Sequence, residues 1–160
     1  MGGRVTIILD TPEAVVVHGD WRETLAVAKE RGGVDAVVTD CPYSDRTHDG
    51  HDGAAMRDPA AMRAAMRDPA KLSRSIDYAA WSTDDVDAFV GAWSPAARGW
   101  FVSLTDHILA PAWAAALDRA DRYSFAPLAC VQSGSRIRLL GDGPAQWSTW
   151  AMTARPRDGA

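Results

Sequence analysis

Asp40, Cys41, Pro42 and Tyr43 stand in a row. Their types suit a flat ligand that carries an amino group. Asp40 offers a carboxylate that can accept an N–H. Cys41 offers a backbone carbonyl as a second acceptor. Pro42 restricts where that carbonyl points, because its own φ is locked and the residue before it is held extended. Tyr43 offers a ring face. Two acceptors for one exocyclic amine, and one face for the ring that bears it, make a site for an aminated heterocycle. A second acid, Asp20, stands between Gly19 and Trp21, which places another carboxylate beside a large aromatic.

The elements that must position these residues follow from pattern. Val34-Asp35-Ala36-Val37-Val38 is a short apolar run after the turn signal Gly32-Gly33, and it predicts a buried strand that ends at Asp40. Residues 5–9 and 14–18 are β-branched runs separated by Asp10-Thr11-Pro12, which predicts a small strand pair. Asp20 followed by Glu23 has the acid-x-x-Glu form of a helix start, and the helix runs through Leu25 and Ala28 to Gly32-Gly33. The succession 14–18, helix, 34–40 is then one strand–helix–strand unit with its two strands parallel. In open α/β sheets ligands bind beyond the carboxyl ends of the strands, where both Asp20 and Asp40 would lie. Asp20 is equally suited to a plain helix cap.

Downstream, Ser82 caps a helix with Val86, Phe89, Val90 and Trp93 on one face, a core pattern. Residues 100–104 form a buried strand that runs into Thr105-Asp106-His107, and Pro111 opens a helix through Trp113 and Leu117. Residues 123–131 and 146–153 predict two further strands around the turn-rich Gly141-Asp142-Gly143-Pro144. The expected fold is α/β: three layers, with a mostly parallel sheet and an antiparallel C-terminal edge. One domain spanning residues 1–160 is expected, with a flexible insert at about 45–77.

That insert holds the tandem His48-Asp49-Gly50, His51-Asp52-Gly53 and the heptad Ala54 to Ala60 repeated from Ala64 to Ala70. Two copies are too few for a solenoid. His and Asp nearby do not make a metal site without convergent geometry, so no metal is assigned. Arg46, Arg57, Arg63, Arg67, Lys71 and Arg74 could meet phosphates, but Asp residues in the same stretch balance them.

The chain has 160 residues, 47% of them apolar, with seven Trp, which fits a protein with a real core. Its net charge of −4 leaves any nucleic-acid contact to a local basic patch rather than to the field of the whole molecule. No run is apolar enough to span a membrane and no signal-peptide pattern is present. The two cysteines, Cys41 and Cys130, make no disulfide framework, and a cytoplasmic setting is expected.

Asp40-Cys41-Pro42-Tyr43 resembles the Asp-Pro-Pro-Tyr motif of amino-group DNA methyltransferases, which methylate N6 of adenine or N4 of cytosine. Cys41 replaces the first proline, at a position where the family uses a carbonyl that any residue supplies. Gly19-Asp20 looks like the element that lies near the adenine of S-adenosylmethionine. The elements after Asp40 are similar to the second half of a methyltransferase sheet, and residues 138–144 to a loop of phage-type, circularly permuted members. The resemblance implies a Rossmann-like fold, incomplete here, and a catalytic site at Asp40, Cys41, Pro42 and Tyr43. It implies cofactor contacts at Asp20 and Trp21, DNA as partner, and adenine favoured over cytosine. The family's Phe-x-Gly-x-Gly cofactor loop has no counterpart in the sequence. The cofactor site is therefore expected to be incomplete, with a truncated chain, a second chain carrying that loop, or a non-catalytic remnant as the alternatives. A rival assignment makes Cys41 a nucleophile, as in cytosine-C5 methyltransferases, although those use the order Pro-Cys.

Overall fold

The structure is a computed structural model that describes residues 5–47, 78–131 and 148–157. The insert beyond Thr47, its duplicated heptad and the turn at Gly141 lie outside the described residues. The elements are β1 (Thr6–Asp10), β2 (Val15–His18), α1 (Trp21–Glu30), β3 (Val37–Asp40), α2 (Thr83–Trp93), a 3-10 turn (Ser94–Ala96), β4 (Phe101–Thr105), α3 (Ala110–Arg119), β5 (Arg122–Ser124), β6 (Leu128–Val131) and β7 (Ser148–Pro156).

Local chemistry sets the helix ends. Asp20 caps α1 by accepting from the Arg22 N–H at 2.9 Å. The helix closes on Gly32 and Gly33, both at φ 86°, and a Cβ on Gly33 would lie 2.6 Å from the Ala96 carbonyl oxygen. Ser82 and Asp85 form a reciprocal capping box at the start of α2. Pro111 occupies the first turn of α3.

The molecule is α/β, with a mixed, open sheet of five strands in the order β3-β4-β7-β5, in which β6 also pairs with β7. β3 and β4 are parallel, from Val37 opposite Phe101 to Asp40 opposite Leu104. β7 is antiparallel to β4, β5 and β6. Strands β3 to β6 therefore share one direction and only β7 runs against them.

Three expectations are corrected. The antiparallel strand does not form the edge: β7 lies inside the sheet, with β4 on one side and both β5 and β6 on the other. Three of the four pairings are antiparallel as a result, so the sheet is mixed rather than mostly parallel. The strand expected at 123–131 is two short strands interrupted around Pro127, which has no N–H for the ladder. Second, β2 does not pair with β3. It pairs antiparallel with β1 in a separate two-stranded sheet. That hairpin is closed by the Thr11 N–H on the Ala14 carbonyl at 2.9 Å and the Ala14 N–H on the Thr11 hydroxyl at 3.0 Å. A short loop is entropically cheaper to close than a helical crossover. The strand–helix–strand unit that does pair in parallel is β3–α2–β4.

Third, the described residues form two layers, not three. Alternation along β4 buries Phe101, Ser103 and Thr105 and leaves Val102 and Leu104 half-buried on the other face. The buried side meets α2 and α3 through Val86, Phe89, Val90, Trp113 and Leu117. α1 joins this helical layer, because Trp21 meets Phe89 edge-on at 5.2 Å. On the opposite face Val38 is 78% exposed, so β3 is buried on one face only, not on both.

Phe89 is the hub of the core, with rings of Trp81, Trp93, Phe101 and Trp113 at 5.4, 6.0, 6.1 and 6.0 Å. Phe89→Ala is expected to cost about 3–5 kcal/mol of stability, the usual range for a large-to-small core aromatic change. Equilibrium urea unfolding followed by tryptophan fluorescence measures it.

Candidate functional site

Asp40 is the last residue of β3, and the chain turns out of the sheet at Cys41. Alternation sends Val37 into the core and leaves Asp40 exposed. Asp40, Cys41, Pro42 and Tyr43 line one cleft of about 290 Å³, together with Tyr78. All four residues of the sequence motif thus meet in one place, at the carboxyl end of a strand. Small-molecule pockets span about 300–1,000 Å³, so this cleft suits a single planar ring rather than an extended cofactor.

The Tyr43 hydroxyl donates to Asp40 Oδ1 at 3.0 Å. Burial, then this hydrogen bond and the Asp40 charge, push the Tyr43 phenol up to about 12, against an opposing contribution from Thr149. The phenol therefore keeps its proton at neutral pH and remains a donor. Cys41 is buried, with its sulfur 3.1 Å from the Thr39 hydroxyl. Burial pushes the Cys41 thiol up to about 11; the Thr39 hydroxyl works against this and the Asp40 charge adds to it. A protonated, buried thiol is a poor nucleophile.

The loop after Tyr43 is fastened by a residue that sequence reasoning did not assign. Asp106 follows the last residue of β4 and is 1% exposed. Its Oδ2 accepts from the Ser44 N–H at 2.9 Å, the Ser44 hydroxyl at 2.5 Å and the Thr47 hydroxyl at 2.6 Å. Its Oδ1 accepts from the Ile108 and Leu109 N–H groups at 3.0 and 2.9 Å, at the entry to α3. Burial alone would raise this carboxyl, but the bonds from Ser44, Thr47 and Leu109 outweigh it and hold the group below the usual carboxylate range. An acid at the carboxyl end of a strand parallel to β3 was the available signal. A second fastening comes from the far side of the insert, where the Trp81 N–H donates to the Tyr43 carbonyl at 3.0 Å.

The other predicted residues are not in this cleft. Asp20 is an exposed cap that also pairs with Arg22 at 3.3 Å. Trp21 lies under the Arg22 guanidinium, 4.2 Å from the ring centre. Trp21 lines a second cleft of about 270 Å³, with Thr24, Val37, Thr39, Phe89 and Trp93, between α1 and the β3 edge. His18 and His107 are exposed and line neither cleft. Among the described residues no group of three or more His, Cys, Asp or Glu side chains could hold a metal ion. The paired His-Asp-Gly units lie outside them. No helix among the described residues is long and apolar enough to cross a membrane.

No match was found among protein-family models, curated proteins or solved structures. The site therefore rests on its own residues.

Two outcomes test this geometry. Asp106→Ala strands buried donors and is expected to cost about 3 kcal/mol or more, since each unsatisfied buried group costs about 1–3 kcal/mol. The sign of its pH dependence follows from a folded pKa lying below the unfolded one. The Asp106 contribution is complete above the ordinary carboxylate value of about 4 and is lost as pH falls from there through the folded value. Denaturation curves from neutral to acid pH should show the wild type losing stability that the variant never had. In alkylation at mildly alkaline pH, iodoacetamide should mark the exposed Cys130 and spare Cys41, as read by peptide mass spectrometry.

Proposed function

We propose that this chain carries the amine-binding side of an S-adenosylmethionine-dependent DNA methyltransferase, one that acts on the exocyclic amino group of adenine (N6) in preference to that of cytosine (N4). The observation that carries the proposal is the cleft at the end of β3 in which Asp40, Cys41, Pro42 and Tyr43 converge. The resemblance of this tetrapeptide to the Asp-Pro-Pro-Tyr motif gives the reaction class. A two-layered α/β unit, with β3 and β4 parallel and their carboxyl ends adjacent, is compatible with part of a Rossmann-like sheet.

The chemistry of the amine side can be written from these residues. A ring nitrogen system withdraws the lone pair of an exocyclic amine and makes it a poor nucleophile. Two acceptors, the Asp40 carboxylate and the Cys41 carbonyl, each take one N–H and favour a pyramidal nitrogen with its lone pair aimed away from both. The Tyr43 ring presses on a base that has left the duplex. The hydroxyl of Tyr43 holds Asp40 Oδ1 and so fixes the carboxylate plane before the amine arrives. Positioning of this kind is worth effective molarities of roughly 10⁵–10⁸ M when the donor is also held.

S-adenosylmethionine would supply an electrophilic methyl group. The described residues do not fit the whole of it. The Asp20 carboxylate is committed to the Arg22 N–H and guanidinium, and the Trp21 ring is covered by the same guanidinium on one side. The glycines at helix and strand ends, Gly33 and Gly99, would place a Cβ 2.6 Å from backbone oxygens of Ala96 and Asp35, so they serve close packing of the chain on itself. This favours the alternative in which the chain is one part of a split enzyme, or a remnant that binds nucleic acid, over an enzyme complete in itself.

Single-stranded oligonucleotides separate these ideas. Oligo-dA carries the exocyclic amine and oligo-dT does not. By fluorescence anisotropy the wild type should prefer oligo-dA, and Asp40→Ala should weaken that complex about tenfold or more, since a hydrogen bond to a charged group is worth about 1.5–3 kcal/mol. The oligo-dT complex should be unchanged. Equal affinity for the two oligomers, or a preference that survives Asp40→Ala, would remove the proposal. Calorimetry with S-adenosylmethionine, alone and with DNA, then tells a complete site from an incomplete one: heat of binding contradicts the incomplete cofactor site, and its absence supports it.

A further inference from the structure

We propose that Tyr78 is the second wall of the base site, so that an extruded nucleobase is clasped between Tyr43 and Tyr78. This rests on the amine-binding role of the cleft and adds a residue that the motif does not contain. Tyr78 lines the same cleft as Asp40, Cys41, Pro42 and Tyr43. It is an aromatic residue left 57% exposed, so part of its surface is open to a ligand in the cleft. It is also close enough to Tyr43 for the two hydroxyls to interact electrostatically.

The segment that presents Tyr78 is anchored. Trp81 stacks on Trp113 at 6.3 Å and tilts against Phe89 at 5.4 Å, in the centre of the core. Its backbone N–H is bonded to the Tyr43 carbonyl at 3.0 Å. Ser82, the next residue, caps α2. Three residues upstream of this anchor, Tyr78 lines the cleft. The two tyrosines thus line one small cavity from chain segments on opposite sides of the insert, and the Asp40 carboxylate lines it with them as an amine acceptor. A planar ring with an exocyclic amine satisfies all three at once: two faces for two aromatic side chains and an edge for the acid. Aromatic stacking on a nucleobase is tolerant of base identity, so Tyr78 would add affinity and leave the choice of base to Asp40 and the Cys41 carbonyl.

The test uses the full chain and a single-stranded DNA oligonucleotide with one 2-aminopurine, whose fluorescence is quenched when its ring stacks. The wild type should quench on binding. Tyr78→Ala should bind at least about fivefold more weakly, in line with stacking contributions of about 1–3 kcal/mol per base, and should quench less. Tyr78→Phe should recover both, because the ring rather than the hydroxyl is required. Circular dichroism melts should place both variants near the wild type, since the side chain is largely outside the core. If the wild type quenches and binds but Tyr78→Ala matches it, the second wall is overturned and the amine site stands. If the wild type itself neither binds nor quenches, the amine-binding role falls and the clasp with it.

Discussion

Asp106 accepts five hydrogen bonds from two parts of the chain that are far apart in sequence: Ser44 and Thr47 after β3, and Ile108 and Leu109 before α3. Burying an ionised carboxylate is expensive, and only a full set of donors makes it tolerable. Once the set is complete, it cannot be relaxed in parts. The chain leaving Tyr43 must pass over the end of β4 at one height, because both hydroxyls and three N–H groups have to reach the same two oxygens. The direction of Pro42 and the tilt of Tyr43 are consequences of that constraint as much as of proline geometry. The cleft is thus positioned by an acid that lines none of it.

Tyr43 has a double character in the cleft. Its hydroxyl belongs to Asp40 and its face is offered to the cavity. A phenol whose proton is held to about 12 can serve as a fixed donor without becoming a competing anion beside the carboxylate. The neighbouring thiol is silenced by burial in the same way. Two groups that could have offered nucleophiles are kept protonated, and among the described residues that line the cleft Asp40 is the one acid.

The elements with strong local signals were legible in the sequence. The α2 cap at Ser82, its apolar face at Val86, Phe89 and Val90, the Pro111 start of α3 and the strand end at Asp40 all come from short-range chemistry, and all are observed. The pairings were less legible, because hydrogen bonds between strands carry no mark in either partner. The β1–β2 pair was legible from the turn at Thr11, but the further pairing of β2 with β3 expected from order along the chain does not form. The placement of β7 inside the sheet depends on its length, nine residues, which lets it serve β5 and β6 at once; no single stretch of sequence announces that. At the site, the four consecutive residues were legible because adjacency guarantees proximity. Asp106 and Tyr78 were not, since their nearness to Tyr43 is made by β4 and by the Trp81 anchor rather than by spacing.

Arg122 fixes the far side of the sheet by a different means. It is buried at the start of β5, and its guanidinium bonds the Ser94 hydroxyl at 2.6 Å and the carbonyls of Ser94, Ala97 and Gly99 at 2.9, 2.5 and 2.6 Å. A strand held only by methyl groups could slide two residues along its neighbour and still bury much the same surface. A planar fork of donors that must meet four oxygens has no such second-best position. The short strand thus works as a keyed end, and sequence drift in the apolar residues around it can proceed without altering which residues of β7 face β5.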